Sequence, residues 1–338
     1  MCNYDFEILQ YNEFENKRRM MDMKVLFAAA RKGCGFAPFV NEQRDALLHA
    51  GVEVVDYAHT AHGIANYMRW VPKLHKTIKE IKPDVVHAHF GLTGLLAGLA
   101  AIGTGVPVVV TYHGCDINDK KLRPFSRMAM RLAAWNIFVS KRQMVNAYGT
   151  EARAAKAKKG GVMACGIDIR MFDKSQVDEA WFEAKFGKGD KVLFGGDFER
   201  AVKDPALAMQ VIEDLRFKIA DLELIEMKGY TREQVVTLMY KCKALLLTSI
   251  REGSPQVVKE AMACDCPIVT VDVGDVSERL DGLDGCFVVK GREPRELAEA
   301  LEKAIAFGRT KGRERLLADG SDNEQVAHKL IEIYKQVL

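Results

Sequence analysis

The stretch ALLLTSIREGSPQVVKEAMACDCPIVTVDV, Ala244–Val273, decides how this chain folds. It opens on one apolar run, ALLLTSI, and closes on another, PIVTVDV. Short apolar runs rich in branched residues, bounded by turn signals, predict buried strands. Between them Ser254 suits a helix N-cap and Pro255 the first helical position. Val257, Val258, Ala261 and Met262 recur at helical spacing and predict the buried face. Asp265 takes the helix-terminating position, where Asp tolerates left-handed geometry. Strand, helix, strand is a βαβ unit, and such units build parallel sheets.

The same alternation runs outward in both directions. KVLFAAA, VEVVDY, DVVHAHF, VPVVVTYH and NIFVS are strand patterns separated by helical ones. GVMACGIDIRMF closes this half, and the pattern restarts at KVLFGGDF near Val192. The fold class is therefore α/β with two Rossmann-like sheets. Residues 1–22 are polar and aperiodic and read as an N-terminal extension. Residues 23–172 form the first domain, 173–190 a linker, 191–320 the second domain and 321–338 a final helix packing back on the first.

Composition narrows the class of protein. The chain has 338 residues and a net charge of only +3. That charge is unevenly divided. Residues 23–172 hold 21 Lys/Arg against 10 Asp/Glu, while residues 173–338 hold 25 against 31. A basic first half suits an anionic partner. Its basic residues are not interleaved with stacking aromatics, which argues against nucleic acid. No run approaches the ~20 apolar residues of a membrane span. The first residues lack the order of a signal peptide, and the eight cysteines are scattered without a C-x-x-C pair. Both point to reduced thiols and a cytoplasmic protein.

Ligands of doubly wound sheets bind beyond the carboxyl ends of the strands, so residues just after strands are the candidates. Glu252 and Glu260 bracket the Gly-Ser-Pro turn. The first amides of the helix, Gln256 and Val257, attract phosphate through the helix dipole. Helical side chains lean toward the N-terminus, which turns Glu260 back toward that end. Locally this is also simply a capped surface helix with acids near its start. GGDFERAVKDP, Gly195–Pro205, follows the first strand of the second domain and offers Arg200 and Lys203 as diphosphate partners. TYHGCD places His113 just past a strand, with Asp116 ordering its loop.

His87 and His89 share one strand face and suggest a metal pair. No third ligand follows at a suitable spacing, so a buried structural or acceptor-side role is favoured. Gly33 and Gly35 follow the first strand without the G-x-G-x-x-G spacing. Between Ile64 and Lys82, Ile64, Met68, Val71, Leu74, Ile78 and Ile81 make an apolar stripe. Arg69, Lys73, Lys76, Lys79 and Lys82, with Lys120, Lys121, Arg123, Arg127 and Arg131, form a candidate basic surface for anionic lipid. A plain solvated helix face is the simpler reading.

EGSPQVVKEAMACDCPIVTVDVGDV resembles the signature of glycosyltransferase family 4. That signature has two glutamates with seven residues between them, a small-residue turn and EAMAC. The resemblance extends over most of the chain from Met23. It implies the GT-B fold, two Rossmann-like domains facing across a cleft, and retention of anomeric configuration. No cofactor and no obligatory metal are implied, since the nucleotide-sugar is a co-substrate. Glu252 takes the role beside the donor sugar, Glu260 the ribose, His113 the sugar and Gly35 a glycine loop near the diphosphate.

The family's usual arginine after Gly196 is replaced by Asp197, Lys203 stands where the lysine belongs, and Arg200 is the candidate second cation. The donors implied are UDP-linked. The acceptors are glycans or lipid-linked intermediates of cell-surface polysaccharide synthesis, met at the inner membrane face. A sugar-nucleotide epimerase and a non-catalytic sugar-nucleotide binder are the alternatives.

Overall fold

The computed structural model describes residues 23–31, 35–60 and 64–338. The N-terminal extension and Gly33 lie outside them. The described residues divide into two compact units, those from Met23 to Gly166 with Asn323–Leu338, and Ile167–Asp322.

The first unit runs β1 (Lys24–Ala30), α1 (Pro38–His49), β2 (Glu53–His59), α2 (Ile64–Ile81), β3 (Val85–His89) and α3 (Gly91–Ala100). It continues through β4 (Val108–Tyr112), α4 (Cys115–Asn118), α5 (Arg123–Leu132), β5 (Trp135–Phe138), α6 (Lys141–Tyr148), α7 (Glu151–Ala155) and β6 (Gly160–Val162). All six strands are parallel, in the order β2-β1-β3-β4-β5-β6. Strand side chains alternate between faces. In β1, Leu26 and Ala28 join one core, while Val25, Phe27 and Ala29 join another.

The second unit holds α8 (Glu179–Phe186), β7 (Lys191–Phe194), α9 (Pro205–Arg216), β8 (Glu223–Glu226), α10 (Arg232–Lys241) and β9 (Ala244–Leu247). It ends with α11 (Gln256–Ala263), β10 (Ile268–Val271), α12 (Val276–Arg279), β11 (Cys286–Val289), α13 (Pro294–Phe307) and α14 (Gly312–Ala318). Its parallel sheet has the order β11-β10-β9-β7-β8. The last helix, α15 (Asn323–Val337), belongs to the first unit. Ala327, Leu330, Ile331 and Tyr334 enter the core lined by Val25, Phe27 and Val109.

Three expectations change. The segment read as a linker, 173–190, is part of the second unit. Asp178 caps α8 by accepting from the Trp181 amide at 2.9 Å, and Phe182 is buried in the core. Its many charges mask three aromatic residues, Trp181, Phe182 and Phe186, that pack with or beside this core. The first unit correspondingly ends at Gly166, not Phe172, because Ile167, Ile169 and Phe172 are buried in the second core. In α2, among the described side chains of the predicted stripe, only Leu74 and Ile78 are fully buried, and Met68 is exposed; the Ile64 side chain lies outside them.

α11 is seated by α14. A Cβ on Gly312 would stand 2.7 Å from both the Met262 Cα and its carbonyl oxygen, inside van der Waals contact with backbone. Gly312→Ala is therefore expected to lower the unfolding free energy by about 2 kcal/mol, read as a urea midpoint shift.

Candidate active site

In the second unit β7 and β9 are hydrogen-bonded neighbours, so the loops after them meet. The Ile250 amide donates to the Val202 carbonyl at 2.9 Å. The Thr248 hydroxyl bonds the carbonyls of Lys203 and Asp204, at 2.9 and 2.8 Å. These contacts fix the two candidate side chains against each other. Lys203 Nζ lies 2.7 Å from Glu252 Oε1, with the two side chains 13% and 17% exposed. Gly196 makes room for this, since a Cβ there would meet Lys203 Cγ at 2.7 Å.

Asp197, standing in place of the usual arginine, shapes the turn. Its Oδ1 accepts from the Glu199 amide at 2.8 Å, and Lys228 lies 3.6 Å away. Arg200 is exposed and contributes backbone: its carbonyl accepts from the Lys203 amide at 2.8 Å. The Lys203–Glu252 ion pair is made without it.

Two cations that the sequence reading passed over lie at these strand ends. Lys228, just after β8, pairs with Glu199 at 2.6 Å, and that carboxylate raises its pKa above the usual lysine value. Arg292, after β11, reaches Asp204 Oδ2 and the Thr248 carbonyl, each at 2.6 Å, and the Ser249 carbonyl at 3.2 Å. It ties the Lys203 loop to the loop that leads to Glu252. The only signal for either was a cation within three residues of a strand end.

The expected cap of α11 is different. Pro255 is the N-cap, and Ser254 donates instead to Asp275 Oδ2 at 2.8 Å. Gly274, with φ +59°, brings this second loop against the Gly253 carbonyl, where a Cβ would approach to 2.7 Å. The turn is thus held from the β10 side, and Gln256 and Val257 begin the helix behind it. Glu260 is buried, and its Oε1 meets Arg232 Nη1 at 2.6 Å. Arg232 enters from the first turn of α10 and lies over the Phe172 ring, 5.0 Å from its centroid. The sequence reading gave Glu260 no such partner. Asp265 does adopt the left-handed conformation, with φ 52°.

In the first unit His113 follows β4. Its Nε2 is 2.9 Å from His89 Nδ1, and its Nδ1 is 3.6 Å from Cys165 Sγ. Asp116 holds the loop by accepting from the amides of Gly91, His113 and Gly114, at 3.1, 3.3 and 2.9 Å. Burial still pushes this carboxyl up to about 6. His87 bonds the Tyr334 hydroxyl and Thr111 Oγ1, at 2.6 and 2.8 Å. The His87–His89 pair is thus engaged in hydrogen bonds. Among the described residues no group of three His, Cys, Asp or Glu is placed to hold a metal ion. Gly35 lies in the turn before α1, where a Cβ would make only ordinary contact with Asn41.

The candidate basic surface is thinner than expected. Arg123 is spent on the Ile117 carbonyl and Arg127 on that of Ala147. Arg69, Lys73, Lys76, Lys79, Lys82, Lys120, Lys121 and Arg131 are exposed. No helix among the described residues is long and apolar enough to cross a membrane.

Two parallel sheets with interleaved helices, each with candidate residues beyond its strand ends, are the GT-B architecture of nucleotide-sugar glycosyltransferases. Solved structures agree on the fold. Sucrose-phosphate synthase from Thermosynechococcus elongatus superposes with a TM-score of 0.72 at 15% identity, covering 93% of this chain and 99% of that one. Anabaena HepE in complex with UDP and glucose superposes with a TM-score of 0.69 at 16% identity, covering 93% and 100%.

Family models of glycosyltransferase family 4 and of glycosyl transferases group 1 match residues 26–169 and 191–306. The chain carries a glycosyltransferase family 4 domain followed by a glycosyl transferases group 1 domain. Among relatives, TuaC of Bacillus subtilis, a glycosyltransferase named for teichuronic acid biosynthesis, is 26% identical over 68% of this chain and 63% of its own length. A D-inositol 3-phosphate glycosyltransferase of Frankia alni is 23% identical over 66% and 65%. The matched region thus spans less than two thirds of either relative's length.

Proposed function

We propose that the protein transfers a glycosyl group from a UDP-sugar to a hydroxyl acceptor with retention of configuration. The observation that carries this is the Lys203–Glu252 pair at the ends of β7 and β9. Cleaving the bond between the anomeric carbon and the diphosphate leaves negative charge on the diphosphate. The Lys203 ammonium, with the start of α11, stabilises that charge where it develops. Glu252, already beside Lys203, accepts hydrogen bonds from sugar hydroxyls. Glu260, steadied by Arg232, serves the ribose. In front-face attack the acceptor oxygen forms the new bond to the anomeric carbon, and its proton passes to the departing phosphate oxygen. His113 serves the sugar, as the family resemblance implies. Arg200 is at most an outer cation.

The acceptor we propose is a glycan or lipid-linked intermediate of cell-surface polysaccharide synthesis. TuaC, named for teichuronic acid, supports that class. The remaining exposed basic residues would bring the enzyme to the inner face of an anionic membrane from the cytoplasm. Asp197 at the arginine position favours a second reading, a non-catalytic sugar-nucleotide binder.

A thermal-shift panel of nucleotide-sugars tests the donor. The right one, at a hundred times its dissociation constant, adds about 2.7 kcal/mol of stability. Transfer to added acceptor is expected to persist in EDTA and to be lost in Glu252→Ala. Stabilisation by a UDP-sugar with no transfer that depends on Glu252 would leave only the binder.

A further inference from the structure

The hydrogen bond between His89 and His113 has a direction, and burial sets it. His89 is fully buried, packed between the rings of Phe27 at 4.4 Å and His87 at 4.5 Å. Its Nδ1 faces His113 Nε2 at 2.9 Å. Its other nitrogen, Nε2, is buried and has no hydrogen-bond partner among the described residues. Burial, then the neighbouring His87 and His113, holds the His89 imidazole well below its ordinary pKa, so it carries one proton.

That proton has two places to be. On Nε2 it would be a buried N–H without an acceptor, an arrangement rare in folded proteins. On Nδ1 it is used. His87 does not bias the choice, because both its partners, the Tyr334 and Thr111 hydroxyls, can donate or accept.

We infer that His89 is a positioning residue that sets the tautomer of His113. His89 Nδ1–H donates to His113 Nε2, and neutral His113 carries its own proton on Nδ1. That Nδ1–H points at Cys165 Sγ, 3.6 Å away. A thiol sulfur is a weak acceptor, so this N–H is the donor that a substrate oxygen can take over. His113 then acts as a neutral hydrogen-bond donor. This consequence rests on the reading in which His113 serves the donor sugar; the tautomer assignment does not.

Long-range proton–nitrogen correlation spectra of the full chain, labelled with ¹⁵N-histidine, test the assignment at pH 7.5. The expected spectrum shows both His89 and His113 protonated on Nδ1, with a scalar coupling across His89 Nδ1–H···Nε2 of His113. His89→Phe keeps a ring but removes the donor, and His113 then moves toward the Nε2–H form. In His89→Asn the amide nitrogen falls near the position of Nδ1 and restores the original form.

In transfer assays His89→Phe lowers kcat about tenfold at unchanged donor KM, and His89→Asn recovers to within about threefold. An Nε2–H tautomer of His113 in the unmodified protein overturns the assignment. So does a His113 tautomer that His89→Phe leaves unchanged. A tautomer shift with unaltered kcat upholds the assignment and removes His113 from the reaction.

Discussion

Lys203→Ala is expected to lower kcat by about a hundredfold to a thousandfold, the loss typical when one preorganised group facing developing charge is removed. The size follows from placement. The ammonium is held in a partly closed setting, 13% exposed, by Glu252 in front and the Gly196 gap behind. Charge there is less screened than at an open surface. Arg200→Ala, which removes an exposed cation of the same loop, should change kcat by less than about threefold, within the range of weak surface electrostatics.

Lys203→Arg is not a conservative control. The space that Gly196 leaves fits a slim alkyl stem, and a planar guanidinium presents its donors differently. Initial rates with saturating donor and acceptor decide the matter. If Lys203→Ala keeps more than a tenth of the parent kcat, Lys203 does not neutralise the leaving group. Stability should fall only modestly, by about 1 kcal/mol, because Glu252 keeps some access to water.

The second large effect is acid sensitivity of the first unit. His59, His87 and His89 are all fully buried. Burial lowers His59 to about 4 and His87 to about 3, and holds His89 well below its ordinary value. All three are depressed relative to the unfolded chain, so the unfolded state takes up protons that the folded state refuses. The stability concerned is therefore complete above about 6.5 and is lost as pH falls from there toward the folded values.

One pH unit below the unfolded pKa, each histidine costs about 1.4 kcal/mol. Asp116 acts in the opposite sense. Its folded pKa is raised to about 6, so acidification through that value restores some stability. The net expectation between pH 7.5 and 5.5 is a loss of about 3 kcal/mol. Urea titrations followed by the fluorescence of Trp70 and Trp135, in a Trp181→Phe background, report on this unit. A loss under 1 kcal/mol would mean that these histidines protonate without unfolding. His87→Gln, which keeps a hydrogen-bonding side chain, should remove about a third of the slope.

Much of the fold was legible because its signals are local and periodic. Ala244–Val273 shows a strand, a helix and a strand in order, and the structure has β9, α11 and β10 there. The same regularity gave both parallel sheets and the restart near Val192. It failed where burial is set by distant partners. Segment 173–190 read as a linker because charges outnumber its few aromatic residues, yet Phe182 sits in a core assembled from residues up to Leu316. Ser254 read as a helix cap because Ser before Pro usually is one, but the β10 loop supplies a better partner in Asp275.

The candidate site divides the same way. The sequence by itself determined its residue types and their places after strands: Glu252, Lys203 and His113 at strand ends, and Glu260 one turn into a helix. Only the tertiary structure decided the pairing, because strand order is not written locally. β9 lies beside β7, and that adjacency sets Lys203 against Glu252 across 49 positions of sequence. The α10 start sets Arg232 on Glu260, and the β3–β4 neighbourhood sets His89 on His113. Charge, hydrogen-bond direction and protonation state follow from these long-range contacts, and a local pattern of apolar and polar residues carries no record of them.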